Sequence, residues 1–290
     1  MESSQTHTEP IILGGTLVAG AIKRDIHNQI ENLVNTHHKR PELSVILVGN
    51  DPASVRYVDR KKHACEEVGI VSHVDTYSRD VSEVEILAKI DSLNTNPAIN
   101  GILIQLPLPP SFTTRKILDR VSPEKDVDGF TTVNGGWLFY DHADMIPCTP
   151  LGIITLLKAY TIPLEGRHVV IIGRGQTVGK PLASLFLSEN CTVTTCHSKT
   201  PDFSQYTRLA DIIVSATGQP LILKSHHVKK GVVVVDVGNH RMPDGKLCGE
   251  VDYDSVSKIA SAITPVPGGV GPMTIAMLLQ NTLKSFRNTI

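Results

Sequence analysis

The chain has no means of pairing its cysteines in any usual way. Cys65, Cys148, Cys191, Cys196 and Cys248 are odd in number, include no Cys-x-x-Cys pair and mostly sit inside apolar runs. They read as reduced core thiols, and neither a disulfide framework nor a zinc site is indicated. The twelve histidines contain no His-Glu-x-x-His, and the pairs His37-His38 and His226-His227 point to opposite sides of any helix; no metal is expected. Excess charge of either sign is also missing. A net charge of −1 gives no general attraction for nucleic acid or an anionic membrane, so any bound anion must be met locally. No apolar run approaches the ~20 residues that span a bilayer. The segment Met1 to Pro10 is polar, carries two glutamates and no arginine, and lacks an apolar h-region. It matches neither a secretion signal nor a transit peptide, and the expectation is a disordered tail on a cytoplasmic protein.

What is present is globular in composition. The 290 residues are 41% hydrophobic and 20% charged, enough for two domains with real cores. From Leu17 to about Val34 apolar residues recur at helical spacing with a charged opposite face. Leu43 to Val48 is a β-branched run ending at Gly49-Asn50-Asp51-Pro52, a strand entering a turn. A strand from Ile70 to Thr76, a helix from about Ser82 to Leu93 with a Ser-x-x-Glu start, and a strand from Gly101 to Gln105 follow. Strands alternating with helices imply a parallel α/β sheet covered on both faces, with ligands beyond the carboxyl ends of its strands.

The stretch Ala53 to Val68 organises this half. Asp51 and Pro52 suit the N-cap and first position of a helix. At about 100° per residue, Ser54, Tyr57, Val58, Ala64, Cys65 and Val68 share one arc, while Arg56, Arg60, His63, Glu66 and Glu67 face away. Lys61 falls in the middle of the apolar arc, one turn from Tyr57. Such a lysine can snorkel, laying its methylenes on the core and sending its ammonium to water. It can also be held in a cleft, where desolvation lets an amine exchange protons near neutral pH. Gln105 stands at a strand end before Leu106-Pro107-Leu108-Pro109-Pro110, whose prolines cannot continue a central strand. It could be a capping amide or a functional one. Lys125 to Phe130, with Asp126 and Asp128 beside Gly129, falls in a loop, where such carboxylates usually mark a solvated turn. Thr149 and Pro150 suit the start of the apolar helix Leu151 to Tyr160, which would join two domains.

The second half opens on a buried strand, a glycine turn and a helix between Arg167 and Leu187. Gly173, Gly175 and Gly179 let backbone N–H groups approach a pyrophosphate at a helix N-terminus. The spacing, Gly-x-Gly-x-x-x-Gly, departs from the strict dinucleotide fingerprint. Strands at Thr192 to Cys196, Asp211 to Ser215, Val232 to Val237 and Ala262 to Thr264 embed it in successive βα units, the context of a nucleotide domain. An NAD site usually has a carboxylate at the end of its second strand for the ribose 2′-OH. This chain has His197-Ser198-Lys199 there, with Arg174 in the glycine turn; these groups suit a 2′-phosphate, and NADP is favoured. Pro265 to Pro272 then forms a proline-glycine loop ahead of an amphipathic helix from Met273 to Phe286, rigid at its prolines and open to a flat ligand at its glycines.

Taken together, these motifs resemble the bifunctional methylenetetrahydrofolate dehydrogenase/methenyltetrahydrofolate cyclohydrolase family. The resemblance runs from about residue 12 to 285 and rests on Tyr57 to Lys61, Gly101 to Pro109, Lys125 to Phe130, Pro147 to Gly152, Thr192 to Thr200 and Ile263 to Thr274. It implies two α/β domains with a folate cleft between them. The N-terminal, folate-binding domain would span 1–149, completed by the C-terminal helix 273–290, and a Rossmann-like NADP-binding domain would span 150–272. It also implies a homodimer. By the same resemblance Lys61 is the catalytic amine, with Gln105 beside it between Ile104 and Leu106; Tyr57 stacks on the folate's aminobenzoate ring and Asp128 bonds the pterin. Pro267, Gly268 and Gly271 would line the pterin and cofactor side, and Gly173, Arg174, Gly175, Ser198 and Asn239 would contact NADP. The chain departs from the commoner family pattern at four places: Gly175-Gln176-Thr177, Asn239-His240, Glu250 in place of an aspartate, and Gly14-Gly15-Thr16. A different NADP oxidoreductase explains the glycine turn but gives no reason for Tyr57, Lys61, Gln105 and Asp128 together. A non-catalytic folate or nucleotide sensor gives no reason for an intact Lys61.

Overall fold

The structure is a computed structural model, and it describes residues 9–290; most of the expected N-terminal tail lies outside the described residues. By packing, the chain forms two compact units. One comprises Ala19–Cys148 with Ile275–Ile290, and the other the described residues up to Val18 with Thr149–Thr274.

Strand β1 (Ile11–Ile12) and helix α1 (Gly15–His37) open the chain. Then come β2 (Glu42–Val48), α2 (Pro52–Val68), β3 (Val71–Tyr77), α3 (Glu83–Thr95) and β4 (Gly101–Ile104). The three strands of this unit pair in parallel in the order β3-β2-β4. β2 is central and almost wholly buried, whereas β3, at the edge, is partly exposed along its length. Ile46, Ile86, Ile90, Ile102 and Ile117 form a dry cluster under the sheet. At ~1.5–3 kcal/mol for each fully buried side chain, such a core can tolerate a costly polar group nearby.

Helix α2 has the ends its sequence suggested. Asp51 accepts a hydrogen bond from the Ser54 N–H at 2.8 Å and Pro52 fills the first turn. At the other end Gly69, with φ of 87°, gives its N–H to the carbonyls of Cys65 and Glu66, a left-handed cap that glycine adopts without steric cost. Two short helices not foreseen from periodicity, α4 (Thr114–Leu118) and α5 (Thr132–Phe139), follow β4. Thr131 caps the second through the Asn134 N–H.

The other unit is built from α6 (Cys148–Ala159), β5 (His168–Ile172), α7 (Gly179–Ser188), β6 (Thr192–Cys196), α8 (Ser204–Thr207), β7 (Ile212–Ser215), β8 (Val233–Asp236), the small ribbon β9 (His240–Arg241) with β10 (Leu247–Cys248), α9 (Tyr253–Val256), β11 (Ala262–Ile263) and α10 (Val270–Arg287), whose last residues belong to the first unit. Its sheet, among the described residues, is parallel in the order β1-β11-β8-β7-β5-β6. From β5 the chain moves first to β6 on one side and then to β7 on the other. That reversal opens a crevice beyond the carboxyl ends of the strands, the usual place for a ligand in such sheets.

Two helix starts differ from expectation. α6 begins at Cys148, so Thr149 is inside its first turn and not the cap; its hydroxyl pairs with that of Thr274 at 2.9 Å. α10 begins at Val270, two residues before Pro272. The reason is the same in both. The first turn of a helix has N–H groups without intrahelical partners, so a proline fits its second or third position as well as its first. No helix among the described residues is long and apolar enough to cross a membrane.

Candidate active site

Burial settles how Lys61 is used. The inward face of α2 consists of Ser54, Val58, Lys61, Ala64, Cys65 and Val68, the arc expected from sequence except for Tyr57, which is only half-buried, and Lys61 is only 4% exposed. The side chain therefore does not snorkel. Its Nζ donates to Oε1 of Gln105 at 3.2 Å and lies 4.7 Å from the centroid of the Tyr57 ring. A ring face attracts a cation by ~0.5–2 kcal/mol, more when water is excluded, so Tyr57 steers the amine while its own ring stays half-buried.

Gln105 is held at both ends. It follows the last residue of β4, and its backbone N–H still reaches the Ile46 carbonyl at 2.9 Å. Its side-chain Nε2 donates to the Leu106 carbonyl at 2.7 Å, which turns Oε1 towards Lys61. This is a positioned amide at a strand end, 8% exposed, flanked by buried Ile104 and half-buried Leu106.

The loop between α4 and α5 is not the solvated turn that its composition suggested. Asp126 is buried and accepts from the Thr131 N–H at 2.7 Å and from Asn134 Nδ2 at 2.8 Å. Lys125 turns its Nζ onto the carbonyls of Leu93, Asn94 and Asn96 at 2.9, 2.8 and 2.8 Å, closing the end of α3. Gly129 has φ of 67°, and a Cβ there would lie 2.7 Å from the Pro147 nitrogen. These ties fix Asp128 between two anchored neighbours. Burial pushes its carboxyl above the usual carboxylate range; the Lys61 ammonium opposes that shift and Asp126 adds to it. An amine, an amide oxygen, an aromatic face and a carboxyl that resists ionising therefore share one locality.

Two contributors carried no sequence signal of function. Cys148, expected only as a core thiol, donates from Sγ to the Val127 carbonyl at 3.3 Å and hydrogen-bonds the Asp128 side chain. Burial holds its thiol well above the ordinary range, so it serves as an inert donor. Asn281, on α10, donates through Nδ2 to the carbonyls of Val127 at 2.8 Å and Ile146 at 2.9 Å. A lone asparagine on the apolar stripe of an amphipathic helix was the available clue, and its partner lies 154 residues away in sequence.

The remaining expected residues lie in the other unit. Gly173 has φ of 126°, and a Cβ on it would stand 2.1 Å from the Ala216 carbonyl oxygen; one on Gly179 would stand 2.2 Å from the Gly173 oxygen. Only glycine lets these backbones meet. Arg174 and Gly175 are exposed at the tip of this turn. Gly173 N–H bonds the Cys196 carbonyl at 2.9 Å, which brings the turn beside the end of β6, where exposed Ser198 follows in a turn closed by His197 and Thr200. Asn239 is exposed just beyond β8. These groups share the carboxyl-terminal edge of one sheet, and no carboxylate stands at the end of β6. Pro267 and Gly268 sit after β11, where Gly268 has φ of 102° and its carbonyl accepts from the Thr16 N–H at 3.0 Å. Gly271, with open space around its Cα, lies in the first turn of α10.

Comparison with known proteins matches both halves of the chain. The catalytic-domain model of tetrahydrofolate dehydrogenase/cyclohydrolase matches residues 13–128, and the NAD(P)-binding-domain model of the same enzyme matches residues 147–290. The bifunctional protein FolD of Geobacillus thermodenitrificans is 48% identical over 276 residues, covering 95% of this chain and 97% of that protein. Among solved structures, the bifunctional FolD of Campylobacter jejuni superposes with a TM-score of 0.94 at 47% identity, covering 96% of this chain and 99% of the other. The Trypanosoma brucei enzyme, solved with NADP and an inhibitor, superposes with a TM-score of 0.93 at 36% identity, covering 97% and 98%. With both halves matched in order and across nearly their whole length, the chain belongs to the tetrahydrofolate dehydrogenase/cyclohydrolase family.

Proposed function

We propose that the protein oxidises 5,10-methylenetetrahydrofolate to 5,10-methenyltetrahydrofolate with NADP and hydrolyses the product to 10-formyltetrahydrofolate. The observation that carries this is the buried Lys61 amine, bonded to Gln105 and set over Tyr57. A simple nucleotide-binding protein has no use for it.

The two activities place different demands on the chain. For the oxidation the residues chiefly bind and orient: the methylene carbon must lie against the nicotinamide, which is a positioning task. NADP supplies the hydride acceptor when bound. The turn Gly173-Arg174-Gly175 with Ser198 and Asn239 would hold it, and the open space at Gly175, where an added Cβ would meet nothing within 4 Å, fits a cradle for a pyrophosphate. Arg174 and the hydroxyl of Ser198 suit a 2′-phosphate.

Hydrolysis needs proton transfer at one locality. Water adds to the methenyl carbon and loses one proton. The resulting hydroxyl then loses its own proton as the carbonyl forms and the bond from that carbon to one ring nitrogen breaks, that nitrogen takes up a proton, and one proton is released to solvent overall. Lys61 is placed to accept the first proton and return one to that nitrogen. Gln105 aims the amine, Tyr57 stacks on the aminobenzoate ring, and Asp128, whose carboxyl burial favours in its neutral form, hydrogen-bonds the pterin. Ile104, Leu106, Pro267, Gly268 and Gly271 complete the substrate contacts. The folate-binding domain would be 1–149 with 273–290, and the NADP-binding domain 150–272.

We further propose a cytoplasmic homodimer. β6 is the last strand of its sheet among the described residues, and such an edge is a template for pairing with a second copy. The enzymatic reading is tested by mixing purified protein with 5,10-methylenetetrahydrofolate and either NADP or NAD, following reduced cofactor and the methenyl and formyl products separately. NADP reduction with accumulation of the formyl product is expected. Reduction with NAD alone overturns the cofactor assignment, and neither product overturns the enzyme.

A further inference from the structure

Glu250 is one of the positions where this chain departs from the common family pattern, and it is 2% exposed. Its carboxylate is nonetheless fully partnered. Oε2 accepts from the Ser215 hydroxyl at 2.6 Å, the Thr217 N–H at 2.7 Å and the Thr217 hydroxyl at 2.9 Å, and Oε1 accepts from the Gly218 N–H at 2.7 Å. All four donors come from one short segment, the end of β7 and the turn after it. The backbone of Glu250 is fixed in turn: its N–H and that of Val251 bond the buried Asp236 carboxylate, each at 2.9 Å. His240 stands on the remaining side, its Nε2 4.0 Å from Oε1 of Glu250.

The segment that Glu250 grips is the one against which the glycine turn packs. Ala216 N–H bonds the Ile172 carbonyl at 2.8 Å, and the Ala216 carbonyl is the atom that leaves no room for a side chain on Gly173. β5 and β7 are the strands between which the sheet order reverses, so residues 215–218 and the glycine turn flank the same crevice. The Thr217 and Gly218 N–H groups point into the Glu250 carboxylate.

We infer that Glu250 is a positioning residue for the dehydrogenase reaction: it clamps residues 215–218 so that their backbone holds the glycine turn in the shape that binds NADP. This rests on the NADP reading given above. Hydrogen bonds to a carboxylate are stronger than those between neutral groups, and an orphaned donor costs the full desolvation of that group. In Glu250→Gln the amide has a single acceptor oxygen, so an N–H of the turn is left facing another donor. Loosening this wall should weaken cofactor binding without reaching Lys61.

The test measures KM for NADP, kcat at saturating NADP, and hydrolysis of added methenyltetrahydrofolate, for the unmodified protein, Glu250→Gln and Ser215→Ala. The expected result is a KM raised about tenfold in Glu250→Gln and about threefold in Ser215→Ala, which loses one donor and keeps the carboxylate, with kcat and hydrolysis within about twofold of the parent. If Glu250→Gln does not fold, Ser215→Ala decides alone. An unchanged KM in the folded variants overturns the inference, as does a parallel fall in KM performance, kcat and hydrolysis, which would make Glu250 a general support of the fold. Saturable NADP reduction by the unmodified protein shows that the cofactor reading stands whatever the variants do; its absence removes that reading and the inference with it.

Discussion

Lys61 reaches Gln105 across 44 residues of chain, Nζ to Oε1 at 3.2 Å, and so ties the inward face of α2 to the carboxyl end of β4. A neutral amide there gives the amine a hydrogen-bond partner that carries no charge. Gln105→Glu would put a carboxylate at the same distance and favour the ammonium. Hydrolysis of methenyltetrahydrofolate should fall by about tenfold or more at neutral pH, since general-base steps are worth ~10²–10⁴. Hydrolysis rates of parent and purified variant check this, with reduced-NADP binding as the control for folding.

Asp128 should cost the fold stability when it is ionised. Burial raises its carboxyl above the ordinary range, so the folded state holds a proton that the unfolded chain has already released. Stability from this group is therefore undiminished below the ordinary carboxylate range, is lost as pH rises through the window up to the raised value, and stays lost above it. Asp128→Asn should melt at a higher temperature than the parent at neutral pH, an advantage that narrows on acidification, while losing activity. Thermal melts from pH 3 to neutrality provide the comparison, and an advantage that grows in acid would contradict the assignment.

Gly173→Ala separates the two activities from the cofactor side. Its Cβ would meet the Ala216 carbonyl at 2.1 Å, and backbone cannot yield as a flexible side chain does. The strain, about 1–3 kcal/mol, should open the glycine turn and weaken NADP binding at least tenfold by about the same energy, leaving hydrolysis of added methenyltetrahydrofolate in place. Titration with reduced NADP, read by fluorescence, gives the first quantity directly.

Arg174 is exposed at the tip of that turn. If it meets the 2′-phosphate, Arg174→Ser should raise KM for NADP by about tenfold, the loss of one charge-assisted contact, and leave any binding of NAD unchanged. Equal effects on both cofactors would place Arg174 elsewhere on the nucleotide.

Much of this site could be read from periodicity. Lys61 announced itself because a helix of 3.6 residues per turn puts it on the buried arc whatever the rest of the chain does, and Gln105 because prolines after an apolar run mark where a strand must stop. The acidic loop could not be read in that way. Whether Asp126 is solvated depends on the Thr131 N–H and Asn134 Nδ2, and those donors arrive only when α5 forms. Asn281 was hidden for a similar reason, since its partners at Val127 and Ile146 come from distant chain. Strand β1 is two residues long and finds its place solely by pairing with Ala262 and Ile263, a length at which no alternation can show.

The central claim is that one buried amine carries the hydrolysis. Lys61→Met keeps the length and apolar stem of the side chain and removes its nitrogen. Rates of methenyltetrahydrofolate hydrolysis should be measured for parent and variant, together with binding of reduced NADP to each. Loss of hydrolysis with NADP binding intact is the predicted result; hydrolysis at the parental rate would contradict it.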